Sequence, residues 1–347
     1  MSLQKLVGSM LVFGFHGGSL DDSETRAEIE QLKAIHCGGV ILFDHDIAGN
    51  CPRNIRSPKQ LVKLIQDLKN ELGSSLIIAI DQEGGSVARL NEHNGFLPTV
   101  SAAKFKEMLP VDQVQYTDRQ AIQLAKLGIN LNFAPCVDLA ITPDSPIIAG
   151  KERAFGKTIE EVVCCAHIVV DAHTRAGVRC CVKHFPGHGS SLLDSHKNIC
   201  DITNSHTDEE TNVFENLIAH YDNQIAVMSG HLIHTKIDSV FPASLSPSHT
   251  NKLLRNNLGF DGVVVTDSLD MRAIRDNFGE GESAVLAINA GADLVLDGLN
   301  APGFREPGAP VRIAQAIFQA VKQEKIADGE HRLIQSRDRI SKLMKAQ

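Results

Sequence analysis

The chain has 347 residues, enough to bury a full core, and no break in composition divides it, so one large domain across 1–347, or one with a small appendage, is expected. A formal net charge of -8, two tyrosines and no tryptophan leave neither the basic runs nor the stacking platforms of a nucleic-acid surface. No apolar run approaches the length of a bilayer span, so no membrane partner is expected either.

The eight cysteines include the adjacent pairs Cys164-Cys165 and Cys180-Cys181 and show no CxxC spacing. Neighbours on a strand point to opposite faces, which disfavours a structural disulfide, and the spacing does not suit zinc. A reducing cytoplasm is the expected location, with an exported form left open if a native leader preceded Met1-Ser2-Leu3.

Taken in order, short apolar runs at 10–15, 39–43, 76–80, 129–134, 178–182, 225–228, 262–266 and 292–296 read as eight strands. Their near-continuous hydrophobicity is that of strands covered on both faces, as parallel strands are. Helices lie between them. Ser57-Pro58-Lys59-Gln60 supplies an N-cap, a first-turn proline and a capping-box partner, and the pairs Thr158 with Glu161 and Thr207 with Glu210 repeat the device. Gly128 and Gly177 stand where helices stop, directly before strands. A proline- and glycine-rich loop at 302–310 precedes one or two closing amphipathic helices. Eight strands alternating with helices predict an α/β fold of the (β/α)8 TIM-type barrel class. A doubly wound sheet is the alternative, weakened by the lack of GxGxxG after the first strand.

In a barrel, function gathers where strands pass into loops. Asp81 follows the third strand, Asn132 ends the fourth with Asp138 soon after, Lys183 and His184 end the fifth, Ser229 and His231 follow the sixth, and Asp267 ends the seventh. A carboxylate at a low-dielectric barrel mouth is costly without a partner or a task. For Asp267 the bland reading is a helix N-cap, a role that Asp270 fits better. Arg89 is placed to return to the Asp81 pocket.

The stretch VRCCVKHFPGHGSSLLDSH at 178–196 passes from a strand into glycine, histidine and a carboxylate. His184 reads equally well as a core histidine. Three histidines and an aspartate are also plausible zinc ligands, although no HxH pair follows the first strand. The third reading is acid-base chemistry: Asp194 lies two residues from His196 and can orient it and favour its charged form, while Asp267 supplies a separate nucleophile.

KHFPGHG at 183–189 with DSH at 194–196 resembles the signature of the β-N-acetylglucosaminidases of glycoside hydrolase family 3, of the type linked to bacterial peptidoglycan recycling. DQEGGSVARL at 81–90, GINLNFAPCVDL at 128–139, KERAF at 151–155, MSGHL at 228–232 and FDGVVVTDSLDM at 260–271 follow the family's order, so the resemblance covers nearly the whole chain. It implies a family 3 N-terminal-type catalytic barrel with a closing helix. It further implies Asp267 as nucleophile, His196 as general acid and then base, and Asp194 as its partner. Asp81, Arg89, Arg153, Lys183, His184, Met228 and His231 would bind the sugar. No cofactor or metal is implied, and the expectation is a monomer acting on a small carbohydrate. Many relatives take the acid from a second domain; here it would come from a barrel loop. Ser190 stands where the family commonly has aspartate, which predicts altered loop packing. The stretch 44–58 is longer than in compact relatives and is expected to shape the aglycone side.

The resemblance implies retaining, exo-acting hydrolysis of β-linked N-acetylglucosamine from muropeptides or related glycosides. Alternatives are a phosphorylase, in which phosphate approaches a neutral histidine without repulsion, a metal-dependent barrel hydrolase, and non-catalytic sugar binding.

Overall fold

The computed structural model describes residues 1–193, 199–301 and 307–345. Eight parallel strands form the sheet: β1 (Leu11–Phe13), β2 (Gly39–Leu42), β3 (Ile77–Ile80), β4 (Leu131–Asn132), β5 (Arg179–Phe185), β6 (Ala226–Ser229), β7 (Val263–Thr266) and β8 (Val295–Asp297). Each pairs with its sequence neighbour from β1 to β7, and β8 pairs back onto β1. Between β7 and β8 a parallel bridge from Val265 to Leu294 closes the ring. The (β/α)8 barrel expected from the strand count is therefore the observed fold, and a strand overlaps each of the eight apolar runs. β5 extends beyond its expected end, which puts Lys183 and His184 on the strand itself.

Side-chain alternation assigns the two faces of the barrel wall. Val12, Ile41, Ile77, Ala79, Leu131, Cys181, Ala226, Met228, Val263, Val265, Leu294 and Leu296 pack in one interior cluster, joined by Ile340 and Leu343 of the closing helix Gly329–Lys345. That helix plugs one end of the barrel. Buried Asp293 fastens it, taking Arg332 at 3.2 Å and Arg339 at 3.5 Å, and also Arg255 at 2.7 Å. Outward residues such as Val40, Leu42, Ile78 and Ile80 pack instead against the helical layer.

The helix starts are mostly as expected. Thr158 forms a capping box with Glu161, and Glu210 accepts from the Thr207 N–H at 3.3 Å. Ser57 caps the helix Pro58–Leu72 through the Gln60 N–H, whereas the Gln60 side chain turns away to accept from Arg56 N and to donate to the Gly18 and Asn54 carbonyls. Gly128 ends its helix in the left-handed region at φ 91°. Asp270 is not an N-cap: the short helix Arg272–Arg275 starts after Met271 without a side-chain cap, and Asp270 is used elsewhere. Among the described residues no helix is long and apolar enough to cross a membrane.

Candidate active site

Continuing the two-residue count past the strand ends carries Asp81, Lys183 and Asp267 to the barrel axis, the same side as Ala79, Cys181 and Val265. Met228 is already interior. All four line one open cavity of about 310 Å³, together with Arg89, Asp44, Asp270, Asn300 and the apolar Phe43, Met271 and Leu296. Five of the expected site residues thus converge from strands distant in sequence.

The floor of the cavity is a buried ladder of charges. Lys183 Nζ lies 2.7 Å from Asp81 Oδ1 and 2.7 Å from Glu83 Oε1. Arg153 grips Glu83 with two parallel bonds of 2.8 and 2.7 Å, the bidentate geometry in which arginine is strongest. Arg89 approaches Asp81 at 3.5 Å and lies over the Phe43 ring at 5.4 Å, where the ring face attracts its charge. Burial alone would raise the Asp81 carboxyl, but Lys183 and then Arg89 outweigh it and hold it below the ordinary carboxylate range. The same contest ends more strongly at Glu83, where Arg153 and Lys183 together keep the acid ionised against its burial. Lys183 in turn stays charged: burial works against its ammonium, and the two carboxylates overcome that.

His184 sits one step outward. Its Nδ1 is 2.7 Å from Asp138 Oδ2, and its Nε2 is 3.4 Å from Arg153 Nη2. A guanidinium only donates, so Nε2 accepts and the imidazole proton lies on Nδ1, toward Asp138. Asp138 also receives the backbone N–H groups of His184 and His188 at 3.2 and 2.7 Å and the Cys136 thiol at 3.2 Å. Burial opposes its charge, yet His184 and His188 bring its carboxyl well below the usual range. Cys136, Asp138 and His184 are, among the described residues, the grouping with metal-ligand reach, and this hydrogen-bond set uses all three. The glycines of the following turn allow its close packing: a Cβ at Gly187, whose φ is 137°, would run into Glu210, and one at Gly189 into the Leu139 carbonyl. Ser190 is buried, and its N–H reaches Glu210 at 3.0 Å.

Asp267 follows β7, half-buried, with its N–H bonded to the Ser229 carbonyl at 2.9 Å and its Oδ1 accepting from Ser268 N at 2.8 Å. His231, expected in the pocket, is fully buried behind this turn and is absent from the cavity lining. Its Nε2 donates to the Ser268 carbonyl at 2.9 Å and its Nδ1 meets Ser244 Oγ at 2.7 Å, so it braces the turn that follows Asp267. Arg153 and His184 likewise act on Glu83 and Asp138 and are not in the cavity wall. Asn132, also noted at a strand end, locks the β3 loop: its amide bonds both N–H and C=O of Gln82, at 3.0 and 3.1 Å. Asp194 and His196 lie outside the described residues. The flanks of their loop are tied together by the Cys200 thiol, which donates to the Leu193 carbonyl at 3.2 Å, and Cys200–Asp201 pairs with Leu232–Ile233 after β6.

Glu83, Ser268 and Asn300 were not singled out as site residues from sequence, and Asp138 was noted only as following the fourth strand. Glu83 had a usable signal, because it stands two residues from Asp81 inside DQEGG. Asn300 had none; it follows β8 by a short, featureless turn.

The sequence profile described as Glycosyl hydrolase family 3 N terminal domain matches residues 3–343. The chain belongs to glycoside hydrolase family 3. Family 3 relatives agree with this over most of its length. A Beta-hexosaminidase of Haemophilus influenzae is 32% identical over 301 residues, covering 83% of this chain and 79% of the relative. Beta-hexosaminidase A of Pseudoalteromonas piscicida is 32% identical over 285 residues, and there the match spans only 46% of the relative. Among solved structures, a glycoside hydrolase family 3 β-N-acetylglucosaminidase from Paenibacillus sp. str. FPU-7 superposes with a TM-score of 0.86 at 33% identity, over all of this chain and 62% of that one. The β-N-acetylhexosaminidase of Beutenbergia cavernae gives 0.85 at 25% identity over 99% and 98%.

Proposed function

We propose that the chain is a retaining exo-β-N-acetylglucosaminidase that removes single terminal N-acetylglucosamine residues from muropeptides or related amino-sugar glycosides. The observation that carries this reading is the convergence of Asp267, Asp81, Lys183 and Arg89 on one cavity at the strand ends of a family 3 barrel. At about 310 Å³ the cavity is at the small end of ligand pockets, and the packed barrel interior closes it below. It therefore suits one terminal sugar, with the aglycone toward the mouth.

In this reading Asp267 attacks the anomeric carbon as His196 protonates the departing oxygen; His196 then takes a proton from water, which releases the sugar with its β configuration retained. Asp81, held ionised by Lys183, accepts from sugar hydroxyls, and Arg89 and Lys183 donate to them.

The test is hydrolysis of an aryl β-N-acetylglucosaminide beside the matching β-glucoside. Selective cleavage of the first is expected, and cleavage of neither would overturn the reading. Running it in phosphate and in an inert buffer separates hydrolysis from transfer to phosphate. His196→Ala is expected to lose roughly 10²–10⁴-fold on a substrate with a poor leaving group. The loss should shrink with an activated phenol, which departs without protonation; equal losses on both would remove His196 from the acid role.

A further inference from the structure

The stretch after β2, flagged in the sequence for its length, folds as a small hairpin in which His45–Asp46 pairs with Cys51–Pro52. It divides two hollows. Asp44, His45 and Ile47 line the sugar cavity, while Asp44, His45, Cys51 and Pro52 line an outer hollow of about 660 Å³. A ladder of two residues per strand is marginal by itself, and the tip buries little, Ile47 being 52% exposed. Something else must hold this wall in place.

The base is held by Arg53, whose Nε and Nη2 donate to the Phe15 and Gly298 carbonyls at 2.7 and 3.0 Å. The tip is held from across the barrel mouth by the side-chain amide of Asn300. Ile47 N donates to Asn300 Oδ1 at 3.0 Å, and Asn300 Nδ2 donates to the His45 carbonyl at 3.1 Å. His16 also approaches Asp46 at 3.8 Å, and Asn91 Nδ2 donates to Asp44 Oδ2 at 2.8 Å where the hairpin leaves β2. Asn300 is itself fixed through its backbone. Its N–H and that of Ala301 donate to Asp270 Oδ2 at 2.6 and 3.0 Å, and Asp270 Oδ1 takes the Ser268 hydroxyl at 2.6 Å. Ser268 N–H is the donor to the nucleophile candidate Asp267. One hydrogen-bonded path therefore runs from the reacting carboxylate to the outer wall.

We propose that Asn300 is a specificity-determining latch, pinning the 45–52 hairpin as the wall that limits aglycone size at the cavity mouth. This rests on the exo-glycosidase reading, which places the aglycone there. Asn300→Ala removes both bonds to the tip and keeps the backbone bond to Asp270, so the hairpin loosens while the nucleophile turn stays anchored.

The experiment compares kcat/KM for two aryl β-N-acetylglucosaminides of matched leaving-group acidity, one with a nitrophenol and one with a bulkier nitronaphthol aglycone. The bulky-to-slim ratio is expected to rise about tenfold in Asn300→Ala. Hydrogen exchange of a peptide spanning 45–52 is expected to accelerate about tenfold in the same variant, reporting the lost bonds independently of activity. Ile47→Pro, on the exposed tip, removes the N–H that Asn300 accepts and should move both readouts the same way. Faster exchange with an unchanged ratio would show that the hairpin is no selectivity wall, and unchanged exchange that Asn300 is no latch; either overturns the proposal. A wild-type chain that cleaves neither glycoside defeats the activity reading itself, a result seen before any variant is made.

Discussion

Asp267→Ala is expected to lower hydrolysis of an aryl β-N-acetylglucosaminide on the order of 10⁴-fold or more, while the sugar still binds. Binding is expected to survive because Asp81, after β3, keeps its contacts to Lys183 of β5 at 2.7 Å and to Arg89 at 3.5 Å. The turn itself should also survive, since the Asp267 N–H to the Ser229 carbonyl and the His231 bond to the Ser268 carbonyl are both kept. In the proposed mechanism the alanine leaves space where the carboxylate would meet the anomeric carbon. Azide, a small anion, can enter it and restore turnover with an activated leaving group. The product expected is the α-glycosyl azide, because a single displacement from the nucleophile's side inverts the centre. A β-azide, or a loss smaller than about 10²-fold, would assign the nucleophile elsewhere.

Much of this site was legible because a barrel converts sequence position into geometry. Asp81 and Asp267 each follow an apolar strand directly, and alternation along LIIAI and VVVT aims both at the axis. Lys183 was legible for the same reason, although its strand proved longer than the apolar run, since a lysine paired to two carboxylates can continue a buried strand that hydrophobicity alone would end. What sequence could not give was partner choice. Glu83 and Asp81 are both carboxylates, and only the fold shows that Glu83 takes Arg153 while Asp81, with Arg89 at 3.5 Å, faces the cavity. His231 was expected in the pocket from the family resemblance and from following β6; the bulge where β6 meets β5, at Met228 and Ser229, accompanies its position behind the turn after Asp267. Asp270 looked like an N-cap from local pattern, and a tertiary demand, the backbone of Asn300 and Ala301, claimed it instead. Contacts between residues some 250 positions apart, such as Ile47 with Asn300, leave no local trace at all.

Lys183→Met is expected to lower stability at neutral pH by about 3–5 kcal/mol, because it removes one cation from between two carboxylates that remain buried. Methionine has similar length and leaves no cavity, so the loss reports charge and not packing. Its dependence on pH has a definite sign. Asp81 and Glu83 titrate below their ordinary values of 3.8 and 4.5 in the folded chain, so their contribution is complete above those values and is lost as pH falls toward the folded ones. In the variant burial is less opposed, Asp81 keeping only Arg89 at 3.5 Å, and its carboxyl moves up. The stability gap between wild type and variant should therefore be smallest at the most acid pH at which the chain still folds, and should widen toward neutral pH until the variant's carboxyls have ionised. Urea unfolding at several pH values measures it. A gap that stayed constant across that range would mean that Lys183 contributes by packing, and that the charge ladder under the cavity is not what holds Asp81 ionised for the sugar.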